Sequence, residues 1–413
     1  MSASTSPKVS IVIPTRNRHD VLLHCLRTVV NQDHENLEII VSDNHSTPET
    51  RAVVESFQSP RLRYVNPGRS LSMSHNFEFA LSHVAGDWIA VLGDDDGLLP
   101  GGIRKALASV LQSGLPCLCS VTGSYNWPTV LDGHVPVLEV PWRRGIEIRH
   151  SAPAVAAVMS GAEDYRSLPL LYTGGFVHAS LLARMRPDGG PLIRSQIPDV
   201  YSAFALTSLT DRFVYSHEPF AVGGRSSHST GLQVLLCFKG ELAPFHASDL
   251  IPFHPDIPLP AAGTLTFSMA AMHYESYLQS AFLRSGAARV NAADQLVLIL
   301  GKAPKAYRPY MDDWARRFAL MHGLDLERAL ARESDEAGAR RRQRLASSLA
   351  YALRFYRLFQ PVDSALPTIF EACVTAQDLL DQRPRILRSH ARFLAGIVQR
   401  KLARPAPVTA GVS

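Results

Sequence analysis

The chain has 413 residues, 46% of them hydrophobic and 19% charged, a balance that fills one large or two modest cores and excludes a disordered chain. Five cysteines without a repeated spacing exclude a disulfide framework and a zinc finger, and the lack of an apolar run of about 18 residues or of a basic-then-apolar leader gives the expectation of a cytoplasmic chain. The net charge of +5 is divided, because residues 301–413 hold 20 Lys+Arg against 11 Asp+Glu and leave the N-terminal part acid-leaning; with no recognisable nucleic-acid module, nucleic acid is not an expected partner.

From Val9 onward, short β-branched runs alternate with amphipathic stretches. "VSIVIP" reads as a buried strand. "HDVLLHCLRTVVNQ" reads as a helix with Val21, Leu22, Cys25, Leu26 and Val29 on one face. Strand "LEIIVS", a polar turn "DNHSTPET" opening a helix from Arg51 to Phe57, and strand "LRYV" follow. "SHNFEFALSHVAGDWIAVL" gives helix, glycine stop and strand, and "GIRKALASVLQSG" with "CLCSVT" repeats the pattern. Such βα alternation implies an α/β fold, a mostly parallel sheet flanked by helices. Gly123 to His150 reads as an irregular excursion rich in Pro, Gly and Trp. "SAPAVAAVMSG" and "SAFALTSL" read as helices, and "RFVYSHEPFAVGGRSSHSTG" as strand and Gly/Ser loop. The expected division is a short N-terminal tail (1–7), a catalytic domain (8–240), a Pro-rich linker (241–263), a mainly helical basic C-terminal region (264–404) and a tail (405–413).

"DWIAVLGDDDGLLP" ends an apolar run in Asp94, Asp95 and Asp96. Like charges side by side repel and buried unpaired carboxylates are costly, so the triplet is either an exposed turn or a cation site. Asp43 and Pro14 to Arg18 also follow strand ends, which points three polar turns at one sheet edge, where ligands of such folds sit. The first strand is followed by no Gly-x-Gly-x-x-Gly and no Gly-x-x-x-x-Gly-Lys, so a dinucleotide fold or P-loop is not expected.

Taken together, "VSIVIPTRNR", "LEIIVSDNHSTPET", the helix with Asn76 leading into "AGDWIAVLGDDDGLLP", and "IPDVYSAFAL" resemble glycosyltransferase family 2 over roughly residues 8–235. The resemblance implies a GT-A fold and transfer of a sugar from a nucleotide sugar. It implies Mn²⁺ or Mg²⁺ at the acidic motif, with Asp95 matching the metal-binding carboxylate, Asp96 beside it and Asp94 towards the nucleotide; Gly93 stands where many members carry a further Asp. It also implies a nucleotide pocket from Pro14, Thr15, Arg16, Asp43 and Asn44, and a catalytic base at Asp199, with Asp164 the nearest rival. Arg225 and His228, in a loop with Gly223, Gly224 and Ser229, match a closing loop over the pyrophosphate. Gly174 and Gly175 read as a close approach to ligand or a plain turn, and Trp127 and Trp142 as acceptor stacking or core.

The expected activity is metal-dependent inverting transfer to a sugar, lipid-linked or small-molecule hydroxyl. The alternatives are a nucleotidyltransferase, which would carry a Gly-rich loop after the first strand, and a non-catalytic nucleotide-sugar-binding module. "RRRQRLASSLAYALRFYRLF" and "RPRILRSHARFLAGIVQRKLAR" interleave arginines with apolar residues at helical spacing. Such helices either lie peripherally on an anionic membrane or pack on the catalytic domain or on a second copy in a homo-oligomer.

Overall fold

A computed structural model describes residues 6–130, 137–227, 249–258, 268–284, 290–303, 308–336, 354–358 and 366–382. The first strand, Val9–Thr15 (β1), is almost wholly buried, as the centre of a helix-covered sheet must be. Leu37–Asp43 (β2) and Trp88–Val91 (β4) flank it in parallel, and Leu62–Val65 (β3) pairs in parallel beyond β2. In chain order the other strands are Gly97–Leu98 (β5), Cys117–Ser120 (β6), Gly123–Asn126 (β7), Leu138–Pro141 (β8), Ile146–His150 (β9), Gly175–His178 (β10), Arg212–Ser216 (β11), Ala221–Arg225 (β12) and Phe355–Leu358 (β13). The large sheet runs β3-β2-β1-β4-β10-β6-β11-β9. Only β9 and β10 run against their neighbours, so the α/β architecture with a mostly parallel sheet is present as expected.

Alternate residues of the strands feed two cores, because successive side chains of a strand point to opposite faces. Ile11, Ile13, Ile39, Val41 and Ala90 meet the helices His19–Val30 (α1) and Pro48–Ser56 (α2). On the other face Val12, Ile40, Ile89 and Val91 meet Met73–Leu81 (α3). Gly102–Ser113 (α4), Ser151–Met159 (α5), Ala179–Arg184 (α6) and Pro198–Leu209 (α7) complete the covering. Helix α7 is buried nearly all round, which means that it has neighbours on every side. The helix Met269–Gln279 supplies the outer one: Tyr277 stands edge-on to Phe204 with ring centroids 5.9 Å apart. Leu296, Ile299, Trp314 and Phe318 of the following helices join the same core.

Two expectations are corrected here. The stretch 123–150 is not irregular; it contains β7, β8 and β9. The C-terminal region, helical in the main, also contributes a strand, β13, within a second sheet of order β13-β8-β7-β12-β5. The helix Ile369–Asp381 covers that sheet, burying Ile369, Ala372, Cys373 and Ala376 against Tyr125, Leu138, Val140 and Val222. The second sheet matters for function because β5 directly follows the acidic triplet. Of the two basic stretches, Phe355–Leu358 is strand, 366–382 falls between them, and 340–353, 359 and 383–404 lie outside the described residues. Among the described residues, no helix is long and apolar enough to cross a membrane.

Candidate active site

Strand register sets the site. Thr15 lies opposite Asp43 at the carboxyl ends of β1 and β2, while Val12 lies opposite Val91 on β4. Three residues past that rung the two chains still run level, and the Thr15 hydroxyl donates to Asp94 Oδ2 at 2.7 Å. The sheet order reverses between β1 and β4, so the acidic loop leaves the sheet at its topological switch point, the general place for a ligand in such folds.

The triplet is not an exposed turn: Asp94, Asp95 and Asp96 are each at most 4% exposed. Arg18 Nη1 pairs with Asp94 Oδ1 at 3.0 Å. Asp95 Oδ2 accepts from the Ser226 hydroxyl at 2.7 Å, and the Asp95 carbonyl accepts from Trp127 Nε1 at 3.1 Å. Asp96 accepts from the Gly224 amide at 2.6 Å, from the Gly93 amide at 3.2 Å and from the Thr173 hydroxyl. A Cβ on Gly93 would lie 2.6 Å from both Asp96 Oδ2 and the Tyr172 hydroxyl. A side chain there would displace Asp96, which gives the glycine in the motif a steric reason.

The nucleotide-pocket candidates separate into two kinds. Asp43 is buried; Oδ1 accepts from the Ser46 amide at 3.0 Å, and Oδ2 from the Tyr64 hydroxyl at 2.5 Å and Asn66 Nδ2 at 3.2 Å. Asn44 clamps Leu71 by both backbone groups, donating to its carbonyl and accepting from its amide at 2.8 Å each. Its amide therefore shapes the 66–72 loop that borders the strand ends. Pro14 and Arg16 are partly buried beside buried Thr15.

Asp199 stands in the first turn of α7 and accepts from the Tyr165 hydroxyl at 2.6 Å. Burial pushes its carboxyl above the usual range, against the pull of the Tyr165 bond and of first-turn amides. Desolvation thus outweighs the support that a helix N-terminus gives the ionised form. Asp164, the rival, is exposed and forks onto Arg166 at 2.9 and 3.4 Å; Arg166 outweighs burial and holds that carboxyl below the usual range. Tyr172 joins the two acidic regions. Burial first, then the charges of Asp96, Asp95, Asp199 and Asp94, drive its phenol well up, so it lies within electrostatic reach of both the triplet and Asp199.

Arg225 is exposed at the end of β12, and its carbonyl accepts from the Trp127 amide at 3.0 Å. His228 and Ser229 lie outside the described residues. Trp127 is a buried residue of the second sheet's core; Trp142 is partly buried just past β8. The Gly174 and Gly175 pair makes a tight turn: Gly174 has φ +96°, and a Cβ on Gly175 would lie 1.7 Å from the Leu170 carbonyl oxygen. Sequence reasoning placed Arg18 in a polar turn without giving it a role, and missed Tyr165, Tyr172 and Thr173, single polar residues to which no role was attached.

Charge balance tests whether the loop fits a cation. Among the described residues the Arg18 guanidinium pairs with Asp94, and Asp94 and Asp95 raise its pKa in spite of burial. Burial, then the neighbouring charge of Asp95, pushes Asp96 up to about 8. The donors of the loop are hard carboxylate oxygens, which fit a divalent ion. Among the described residues no three His, Cys, Asp or Glu side chains converge as a closed cage. An ion held by one or two carboxylates takes its remaining ligands from water and phosphate.

Residues 10–161 match the family model described as "Glycosyl transferase family 2". The chain is 36% identical over 109 residues to a GalNAc(5)-diNAcBac-PP-undecaprenol beta-1,3-glucosyltransferase of Campylobacter jejuni, which covers 26% of this chain and 34% of that one. It is 30% identical over 173 residues to a galactofuranosyltransferase of Mycolicibacterium smegmatis, covering 37% of this chain and 55% of the other. The chain thus spans between a third and just over half of the length of these relatives. A mannosyltransferase from Pyrobaculum calidifontis, solved with GDP-Man and Mn²⁺, aligns over 91% of this chain and 88% of its own at a TM-score of 0.40 and 15% identity. The segment that matches this family model, residues 10–161, holds Thr15, Arg18, Asp43 and the Asp94–Asp96 triplet.

Proposed function

We propose that the protein transfers a sugar from a nucleotide diphosphate sugar to an acceptor hydroxyl, with inversion at the anomeric carbon and with Mn²⁺ or Mg²⁺ bound. The observation that carries this reading is the buried Asp94–Asp96 loop beside Thr15 and Asp43, at the carboxyl ends of parallel strands in the segment that matches the family 2 model. Thr15, Arg16, Pro14 and Asp43 line the nucleoside end. Asp95 and Asp96 would hold the ion, which when bound offsets the charge that grows on the departing nucleoside diphosphate. Arg225 at the end of β12 stands on the phosphate side.

Asp199 takes the acceptor hydroxyl's proton as that oxygen bonds to the anomeric carbon and the bond to the β-phosphate oxygen breaks on the opposite face. A raised pKa suits that role, because a base works best with a pKa approaching the working pH. The lipid-linked acceptor in the Campylobacter relative's name favours a lipid- or polysaccharide-borne hydroxyl, and the basic C-terminal residues would suit an anionic membrane surface. The nucleotidyltransferase reading lacks its Gly-rich loop, since "RNRHD" follows β1.

The test is thermal stabilisation by UDP, GDP, dTDP and CDP, each with and without Mn²⁺ or Mg²⁺. A diphosphate at about 100 times its dissociation constant stabilises by about 2.7 kcal/mol. The expected result is stabilisation by one nucleotide that requires the ion and disappears in Asp95→Asn. If no nucleotide stabilises the protein with either ion, or if Asp95→Asn keeps the ion-dependent part in full, the reading fails.

A further inference from the structure

The turn before β10 places three polar side chains in a row that face in two directions. Asp164 and Arg166 face outward and pair with each other. Tyr165 between them faces inward, with its hydroxyl 2.6 Å from Asp199 Oδ2. Its ring is tilted against the imidazole of His273, centroids 5.2 Å apart, on the helix Met269–Gln279. His273 also flanks Phe204 of α7. The phenol is therefore held between the C-terminal helices and the first turn of α7, a placement that leaves its hydroxyl little freedom to leave the carboxylate.

We infer that Tyr165 is a positioning residue: its hydroxyl fixes the rotamer of Asp199 and sets the strength of that carboxylate as a base, with the helix Met269–Gln279 as its backing. The inference rests on the reading of Asp199 as the base. A phenol donating to one oxygen of a carboxylate orients the other lone pairs, and it favours the ionised form over the protonated one. Losing the donor therefore lets Asp199 swing and raises its pKa. Among the described residues, Tyr165 bonds Asp199 directly, Arg166 acts on it through space from the outer side of the turn, and Tyr172 lies within electrostatic reach from the loop after it; Asp164 and His273 lie beyond Tyr165.

The test compares wild type, Tyr165→Phe, Asp199→Asn and the double variant, using hydrolysis of UDP-glucose, GDP-mannose and dTDP-glucose with Mn²⁺. A second readout, carbon-13 titration of the Asp199 carboxyl in the ion-free protein, needs no turnover. Tyr165→Phe is expected to lower kcat about 10-fold or more with the donor KM within about threefold. It is expected to move the Asp199 midpoint, and the acidic limb of kcat/KM, upward by about one pH unit. In the Asp199→Asn background it should have no further effect, as two residues acting as one unit require. 3-Fluorotyrosine at position 165, a stronger donor of nearly the same shape, should move the midpoint downward and covers the case in which Tyr165→Phe folds poorly. An unmoved midpoint in these variants overturns the inference even if Asp199→Asn is inactive. Full turnover in Asp199→Asn overturns the base reading itself, and the role of Tyr165 falls with it.

Discussion

A methyl group on Gly224 would lie 1.8 Å from the carbonyl oxygen of Asp95 and 2.7 Å from its carbon. Backbone sits on both sides of that contact, so neither partner yields cheaply. The Gly224 amide also donates to Asp96 Oδ1, and any retreat of β12 gives up that bond. Gly223 is its control, because a Cβ there would meet nothing nearer than 3.7 Å. Gly224→Ala is expected to lower the thermal midpoint and remove the ion-dependent stabilisation by nucleotide, whereas Gly223→Ala stays within about 0.5 kcal/mol of wild type. Equal behaviour of the two variants would mean that the acidic loop does not depend on this approach. In sequence the two glycines look alike, and only the close approach of Gly224 to the acidic loop distinguishes them. The acidic triplet and Asp43 were legible because strand ends can be read from β-branched runs. Arg18 was not legible as their partner, since 76 residues separate it from Asp94.

At the scale of elements, β13 shows where periodicity fails. "RFYRL" alternates charge and bulk in a way that fits a basic helix face as well as an edge strand. The chain resolves the ambiguity through a partner more than 200 residues away: Phe355–Leu358 pairs antiparallel with Leu138–Pro141. Arg357 Nε then meets Glu139 Oε1 at 2.6 Å, the two side chains being 11% and 8% exposed. One arginine of the supposed surface-binding stretch is thereby spent on an internal ion pair. Breaking such a pair from one side strands a buried charge and costs about 3–5 kcal/mol, whereas replacing both partners by apolar groups of similar volume is often neutral. Arg357→Met is therefore expected to lower stability strongly in urea unfolding, and Glu139→Leu added to it should restore most of the loss. A mild effect of the single variant would show that β13 is dispensable to the second sheet. The same long-range pairing explains why 123–150 looked irregular, since Tyr125, Leu138 and Val140 find their apolar partners on the helix Ile369–Asp381.

Across the whole molecule, the packing of C-terminal helices onto the catalytic sheet ties the two regions to one pH dependence. His273 comes from the helix Met269–Gln279, and its Nε2 is buried without a hydrogen-bond partner among the described residues. Burial is the main cause that lowers its pKa to about 4, helped by Lys302 and Arg166 and opposed by Asp164. In the unfolded chain the same imidazole takes up its proton near pH 6.5. Between those values the unfolded state binds more protons than the folded one, so stability rises with pH across the interval. The contribution of His273 is complete above about pH 6.5 and is lost as pH falls towards about 4. His273→Leu keeps the apolar contacts with Tyr165 and Phe204 and removes the titration. Its thermal midpoint is expected to fall less than that of wild type between pH 6.5 and 4.5, with the difference between the two curves confined to that window. Parallel curves would mean that His273 charges without loosening the helix from the sheet. An excess acid sensitivity in wild type would instead locate in this one imidazole the point at which the C-terminal helices begin to separate from the carboxylate they help to hold in place.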